Sequence, residues 1–252
     1  MSPCPGSLWE SASLFRAWNW ATGEYEKKLS AGDDYPAVTT SYPEVQNRHR
    51  RTEVSQQERR VVAWVTISMD GYTSGPGGPA QDTWLYEHVR RESSAAHFEG
   101  IWRGASTVVV GRTNYEGFFS VWPGITADPA TDPRTRDLGV FLNTVEKVVV
   151  SRTLQEAGWE NSRIVRDLES EVKALQGAPG RDILVINSAS IIQALLVAGL
   201  IDDLRFAVVP VLLGGGLRLF AKGLPTSAWG LTQATILEDG AIGLHYTRAD
   251  RS

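Results

Sequence analysis

From Val61 onward, short β-rich runs alternate with stretches of helical periodicity, and this alternation limits the possible folds more than any other feature of the sequence. Such an order is typical of a largely parallel sheet with helices on both faces. The five β-rich runs are VVAWVTI (61–67), STVVVG (106–111), EKVVVS (146–151), SRIV (162–165) and DILVI (182–186). They predict an α/β domain of three layers, αβα, over residues 60–252.

The helical and C-terminal segments complete this prediction. One helix is expected over residues 84 to 102 and another over ASIIQALLVAGL (189–200), because both have apolar residues at helical spacing. The segment LRFAVVPVLL (204–213) begins a series of strands, and Asp239-Gly240 separates two further β-rich runs, which is a hairpin signal. We therefore expect a mostly parallel sheet with antiparallel C-terminal strands.

The first 59 residues differ from the rest of the chain. They lack alternating strands and helices, and the polar, arginine-bearing stretch NRHRRTEVSQQERR (47–60) lies at their boundary with the rest of the chain. Ser7 and Glu10 have the spacing of a capping box, so one amphipathic helix is predicted near residues 8 to 29. Residues 1–59 are therefore expected to be an N-terminal extension, partly helical or disordered.

The composition argues against several classes of protein and site. A formal net charge of −4 gives no general attraction to nucleic acid or to an anionic membrane. The single cysteine, Cys4, cannot form an internal disulfide, and the four histidines lack the spacing of a zinc site. The most apolar run, residues 206–217, is too short to span a bilayer. We expect a cytoplasmic protein without a metal, a membrane span or a nucleic-acid partner.

Three predicted strands end in short polar loops. The loops are Gly111, Arg112, Thr113 and Asn114; Ser151, Arg152 and Thr153; and Asn187, Ser188, Ala189 and Ser190. The carboxyl ends of parallel strands share one edge of a sheet, where ligands bind. Backbone N–H groups at helix N-termini and arginine side chains bind phosphate. The loops together predict a site for a ligand with more than one phosphate, although each alone would also fit helix capping by polar residues.

These segments resemble a known family. Gly111-Arg112-x-x-Tyr115-Glu116 is similar to the G-R-x-T-W/Y-E segment of dihydrofolate reductases, and VVVSRTL (148–154) resembles a later strand of those enzymes. SMDGYTSG (68–75) and the segment of residues 190–220 resemble more closely the reductase domain of the bifunctional riboflavin-biosynthesis deaminase-reductase and its single-domain bacterial relatives. The similarity covers roughly residues 61 to 248, and it implies a dihydrofolate-reductase-like fold.

The resemblance also implies an activity and a set of site residues. It implies an NADPH-dependent reductase of a pterin-like or pyrimidine-like heterocycle. The residues that would contact NADPH are Ile67 at the nicotinamide; Gly111, Arg112, Thr113 and Asn114 at the phosphates; Ser151, Arg152 and Thr153 at the adenosine end and its 2′-phosphate; and Asn187, Ser188, Ala189, Ser190 and Ile191 along the pyrophosphate. Substrate would lie beside Met69, Asp70 and Trp84, with Asp70 as the candidate proton donor, although Asp-Gly after a strand is more often a turn.

Two alternatives stay open from the sequence. One is the riboflavin-pathway reductase itself, which acts on 5-amino-6-(5-phosphoribosylamino)uracil. The other is a non-catalytic NADPH-binding protein, because Ser94 to Ala96 stand where dihydrofolate reductases carry an acid and Asn187-Ser188 replaces a glycine pair. Relatives often dimerise, so we also expect a homodimer, for which the apolar strand VVPVLL (208–213) is a candidate contact.

Overall fold

The computed structural model describes residues 58–78 and 82–249, and the helix predicted near residues 8 to 29 lies outside these ranges. Ten strands are present in them: β1 Val61–Ser68, β2 Tyr72–Ser74, β3 Ala105–Gly111, β4 Glu146–Val150, β5 Ser162–Val165, β6 Asp182–Ile186, β7 Asp203–Val209, β8 Leu217–Arg218, β9 Trp229–Ile236 and β10 Ile242–Arg248. The six helices in the same ranges are α1 Thr83–Val89, α2 Glu92–Trp102, α3 Arg112–Ala127, α4 Pro133–Thr144, α5 Leu168–Gln176 and α6 Ala189–Val197.

Eight strands form one sheet in the order β5-β4-β3-β6-β1-β7-β10-β9. The first six in this order are parallel, whereas β10 is antiparallel to both β7 and β9. A small antiparallel pair, β2 and β8, lies outside this sheet. The predicted mostly parallel sheet with antiparallel C-terminal strands is confirmed.

The core lies on both faces of the sheet. All eight residues of β1 are buried, so this central strand is covered from both sides. One apolar cluster joins the odd-numbered residues of β1 from Val61 to Ile67 with α5 and α6, and a second joins Val62 and Trp64 with α2, α3 and α4. This arrangement is the predicted αβα layering.

The helix predicted over residues 84 to 102 is two helices, and that prediction was wrong in this respect. Arg91, which precedes α2, has an extended backbone with φ −67° and ψ 145°. The start of α2 is capped from the distant β9–β10 turn, since the Ser93 N–H donates to Glu238 Oε2 at 2.8 Å and the Glu238 N–H donates to Ser93 Oγ at 2.8 Å. A cap from 145 residues away in sequence gives no local signal.

The segment predicted as a strand over residues 204 to 213 also ends earlier. β7 stops at Val209, before Pro210, which has no N–H to donate to a neighbouring strand. β7 pairs with β1 on one side and with β10 on the other, so it has no free edge. Of the candidate dimer contact VVPVLL (208–213), only Val208 and Val209 lie in a strand, and that strand already has a neighbour on each side, so the homodimer stays a prediction.

Candidate functional site

The three polar loops predicted from the sequence meet at one edge of the sheet. They follow β3, β4 and β6, which are parallel neighbours. The Asn114 side-chain amide donates to the backbone oxygen of Asn187 at 2.6 Å and to Ser188 Oγ at 2.9 Å. Arg112 Nη1 donates to Thr153 Oγ1 at 2.9 Å. Hydrogen bonds thus link the first loop to both of the others.

The turn between β6 and α6 depends on two polar residues. Asn187 has φ +46°, in the left-handed region that asparagine tolerates better than most residues. The buried Ser188 hydroxyl accepts from the Gly111 N–H at 3.1 Å and donates to the Ile186 oxygen at 3.0 Å. No side chain caps α6, which begins at Ala189. Its first N–H groups therefore remain available to an anion.

A groove of about 650 Å³ lies between the end of β4 and the helices α5 and α6. Four residues predicted to bind cofactor line it, and these are Ser151, Arg152, Ser190 and Ile191. Leu168 and Leu195 contribute apolar surface. The groove therefore combines apolar walls with a few polar groups, as small-molecule sites commonly do.

The groove contains two arginines, Arg152 and Arg166. Arg152 has no ionic or hydrogen-bonding partner within residues 58–78 and 82–249. Its side chain is exposed, whereas Arg166, on the same groove, donates to the backbone oxygens of Ser151 and Leu154. The nearby acids are already paired. Asp167 accepts from the hydroxyl and N–H of Ser170, which lower its pKa, and Glu169 forms an ion pair with Lys173 at 2.6 Å.

Arg112 lies outside the groove, at the start of α3. Its Nε donates to Glu116 Oε1 at 2.8 Å, one helical turn along, and both side chains are about half exposed. Thr113 is exposed in the same first turn, and Gly111 precedes it at the N-cap without a side-chain capping bond. Ser151 Oγ accepts from the Leu154 N–H at 3.0 Å, which shapes the loop after β4.

The loop after β1 is held by Asp70. Its carboxylate accepts from Ser68 Oγ at 2.6 Å, from the Gly214 N–H at 2.7 Å and from the Leu213 N–H at 3.2 Å. The Ser68 hydroxyl and these backbone N–H groups lower the pKa of Asp70 to about 2. A carboxylate that is ionised at neutral pH has no proton to give, so this environment disfavours the proton-donor role predicted for Asp70.

The other residues predicted near the substrate differ in exposure. Met69, which belongs to this loop, is 56% exposed, whereas Ile67, in β1, is 5% exposed. Two other acids, Glu92 and Glu99, lie on α2, and both form ion pairs with Arg134.

Asp82 is a buried acid close to the predicted substrate residue Trp84, and the sequence analysis did not single it out. It is 7% exposed, and its Oδ1 accepts from the Gly75 N–H at 2.8 Å and from Trp84 Nε1 at 2.9 Å. Its position directly before α1 and two residues before Trp84 was the available signal. No group of three metal-ligating side chains occurs in the described part of the chain, and no helix there is long and apolar enough to cross a membrane.

Comparisons with known proteins identify a matching family. A family model described as the RibD C-terminal domain matches residues 59–242. The uncharacterized protein YyaP of Bacillus subtilis (strain 168) is 27% identical over 164 residues, which are 65% of this chain and 81% of YyaP.

Solved structures share the fold. A putative riboflavin biosynthesis protein from Shewanella sp. PV-4 is 21% identical with a TM-score of 0.56, and the match covers 75% of this chain and 98% of that one. A diaminohydroxyphosphoribosylaminopyrimidine deaminase/5-amino-6-(5-phosphoribosylamino)uracil reductase from Thermotoga maritima is 13% identical with a TM-score of 0.50. That match covers 78% of this chain and 58% of the Thermotoga protein.

Proposed function

Because this chain belongs to the family of the RibD C-terminal domain, we propose that it is an NADPH-dependent reductase of a pterin-like or pyrimidine-like heterocycle. The observation that carries the proposal is the convergence of three loops at one edge of the sheet, beside a groove that contains Arg152, a cation without a partner among the described residues. This combination suits a long ligand with several phosphates and an aromatic base.

This arrangement supports a proposed set of cofactor contacts. The pyrophosphate would lie at the start of α6, where uncapped N–H groups and the partial positive charge of the helix favour an anion. The adenosine would occupy the groove against Leu168 and Leu195, with Ser151 beside it. The 2′-phosphate would pair with Arg152, because a guanidinium without another partner can give both of its parallel N–H groups to phosphate oxygens.

The bound nicotinamide would supply the hydride for the reaction. The protein's own contribution would be to hold the two rings together at the carboxyl end of β1, beside Met69 and Trp84. The Asp70 carboxylate fixes the loop of residues 68–71 against residues 213–214, so its role in the proposed enzyme is positional.

The test is to mix the purified protein and NADPH with a panel of dihydropterins, folates and aminopyrimidines, including the phosphoribosylaminouracil of riboflavin biosynthesis. Loss of NADPH absorbance with one compound would support a reductase and identify its substrate. Quenching of tryptophan fluorescence by NADPH without turnover of any compound would instead indicate a non-catalytic binding protein. Absence of NADPH binding would overturn the proposal.

We also propose a homodimer. A candidate surface for the contact is β9, the terminal strand of the sheet, where Leu231 and Ile236 are exposed. Sedimentation equilibrium of the full chain would test the oligomeric state.

A further inference from the structure

The imidazole of His97 fills a hollow in the sheet that a glycine leaves open. His97 lies in the middle of α2, and a Cβ atom placed on Gly243 of β10 would lie 2.7 Å from its Nε2 and 2.8 Å from its Cε1. The indole of Trp64 borders the ring, with 5.6 Å between the two ring centroids. A side chain at position 243 would therefore collide with the imidazole, because closely packed interiors have no room for such an overlap.

The start of α2 is held by the turn that precedes β10. Ser93 and Glu238 exchange two hydrogen bonds of 2.8 Å each, and Arg91 forms an ion pair with Asp239. His97 follows Ser93 by about one helical turn. The β9–β10 hairpin thus contacts α2 at two successive turns, first through the cap and then through the imidazole of His97.

The cationic groups that face His97 come from β7 and β10. Trp64, Arg205 and His245 are direct neighbours across β1, β7 and β10, so their side chains lie on the same face of the sheet. His97 Nε2 and Arg205 Nε are both buried, and neither has a hydrogen-bond partner in the described part of the chain. In a charged imidazole both ring nitrogens carry a proton. Protonation of His97 would therefore place a buried donor without an acceptor close to a second cation.

The acids on the elements around His97 interact with other groups. They are Asp182 on β6, Asp203 on β7, Glu99 on α2, and Glu238 and Asp239 in the β9–β10 turn. Asp203 accepts from Arg60 at 2.6 Å and lies 2.7 Å from His245 Nε2. Burial of the ring, followed by the charges of Arg205 and His245, lowers the pKa of His97 below its ordinary value. The imidazole is therefore neutral while it fills the hollow.

We propose that His97 is an acid-sensitive latch between α2 and the β9–β10 hairpin. The neutral imidazole holds α2 over Gly243, and protonation drives the ring out of the hollow. A histidine that has left the hollow binds a proton more readily than one inside it, so a fall in pH shifts the population toward the open form. The inference goes beyond the proposed function and does not depend on it, because it concerns only the packing of α2.

Hydrogen exchange of the full chain, followed by mass spectrometry, tests the latch. It is measured at about pH 7.5 and about pH 5.5, on either side of the ordinary histidine pKa, and corrected for the intrinsic pH dependence of exchange. In the unmodified protein we expect the amides of α2 to lose protection about threefold or more at the lower pH. The amides of α6, which packs on the opposite face of the sheet, should change by less than about twofold.

Two variants act in opposite directions. His97→Met keeps an unbranched side chain that can fill the hollow and cannot be protonated, so α2 should be equally protected at both pH values. Gly243→Ala puts a methyl group where the imidazole lies and should reduce the protection of α2 at both. His88→Gln is the matched control, because it removes another partly buried histidine, from α1, and should keep the pH response of the unmodified protein.

Equal protection of α2 at both pH values in the unmodified protein would overturn the proposal. A pH response that persists in His97→Met, or that disappears in His88→Gln, would overturn it as well. Circular dichroism and thermal unfolding check the fold of each variant. If His97→Met does not fold, an NMR titration of the His97 ring in the unmodified protein decides the matter. Its midpoint should lie below that of an exposed histidine and coincide with the loss of α2 protection, and a midpoint at or above that of an exposed histidine would contradict the latch.

Discussion

The side-chain amide of Asn114 donates to Ser188 Oγ at 2.9 Å, and this contact joins the ends of two parallel strands 74 residues apart in sequence. The same hydroxyl accepts from the Gly111 N–H and donates to the Ile186 oxygen, so its capacity is fully used. Its residue is 4% exposed. The shape of the proposed phosphate site therefore depends on one buried hydroxyl.

Ser188→Ala should both destabilise the protein and weaken the binding of NADPH. The substitution leaves the Gly111 N–H and one Asn114 N–H without an acceptor, at a cost of about 1–3 kcal/mol in the free energy of unfolding. Urea unfolding and a fluorescence titration with NADPH would measure the two effects. Ser190→Ala, at an exposed position in the first turn of α6, is the control for stability and should leave the unfolding free energy within about 0.5 kcal/mol of the original. A stable Ser188→Ala protein with unchanged NADPH affinity would contradict this role.

Arg152→Ala should change the choice between the two nicotinamide cofactors. Hydrogen bonds to a charged group contribute about 1.5–3 kcal/mol, so the Kd for NADPH is expected to rise about tenfold or more while the Kd for NADH stays nearly constant. Arg112, which already bonds to Glu116 and Thr153, lies outside the groove, and Arg112→Ala should weaken both cofactors alike. Parallel titrations with both cofactors give the ratio for each variant. Lys222→Ala, which removes an exposed cation elsewhere, should leave both Kd values unchanged. Equal losses for NADPH and NADH in Arg152→Ala would exclude it as the 2′-phosphate ligand.

Asp70 should contribute to stability at neutral pH and lose this contribution in acid. The Ser68 hydroxyl and two backbone N–H groups lower its pKa from 3.8 to about 2 in the folded state. The unfolded state therefore binds more protons than the folded state between these values, and stability falls as the pH is lowered through that window. The measurement is urea unfolding at several pH values between about 5 and about 2, comparing the unmodified protein with Asp70→Asn. The variant should be less stable at neutral pH and show a shallower decline in acid, and an equal slope would contradict the assignment. Glu156→Gln, an exposed site, serves as the control.

The sheet could be predicted from the sequence because its strands carry strong local patterns. SRIV and DILVI became β5 and β6 with the predicted boundaries, and the hairpin at Asp239-Gly240 joins β9 and β10 as expected. Apolar β-branched runs between polar loops are sufficient to identify buried parallel strands. The pairing of β6 with β1 at the centre of the sheet is parallel, as the alternation of strands and helices predicts.

The site was less predictable because several of its contacts are not local. The three loops were found from strand ends, but the start of α2 after its break from α1 is capped by Glu238, which is 145 residues from Ser93 in the sequence. Asp82 was missed because a single acid before a helix resembles an ordinary cap. Only the folded chain shows that it is 7% exposed and that it binds Trp84 instead of capping α1.

Lys147 should give the protein an increase in stability at alkaline pH. It is 1% exposed, and its Nζ donates to the backbone oxygens of Leu142 and Val145 at 2.8 Å each, at the end of α4. Burial lowers its pKa from 10.5 to about 8. The unfolded state therefore binds more protons between these two values, and stability rises with pH by up to about 3 kcal/mol. Urea unfolding between about pH 7 and about pH 10 would measure the rise. In Lys147→Met this rise should be absent, and a flat profile in the unmodified protein would contradict the prediction.

Two glycines in the loop before β8 should respond very differently to the same substitution. A Cβ on Gly216 would lie 2.1 Å from the backbone oxygen of Ser74, so the chain cannot hold β2 against β8 with any side chain there. Gly214 also has a positive φ, +69°, but a Cβ on it meets nothing within 4 Å. Gly214→Ala should cost only the backbone strain of about 1–2 kcal/mol, whereas Gly216→Ala should cost more and displace Ser74. Thermal unfolding of both variants would measure this difference. Equal losses of stability in the two variants would mean that the close approach of Gly216 to Ser74 is not needed.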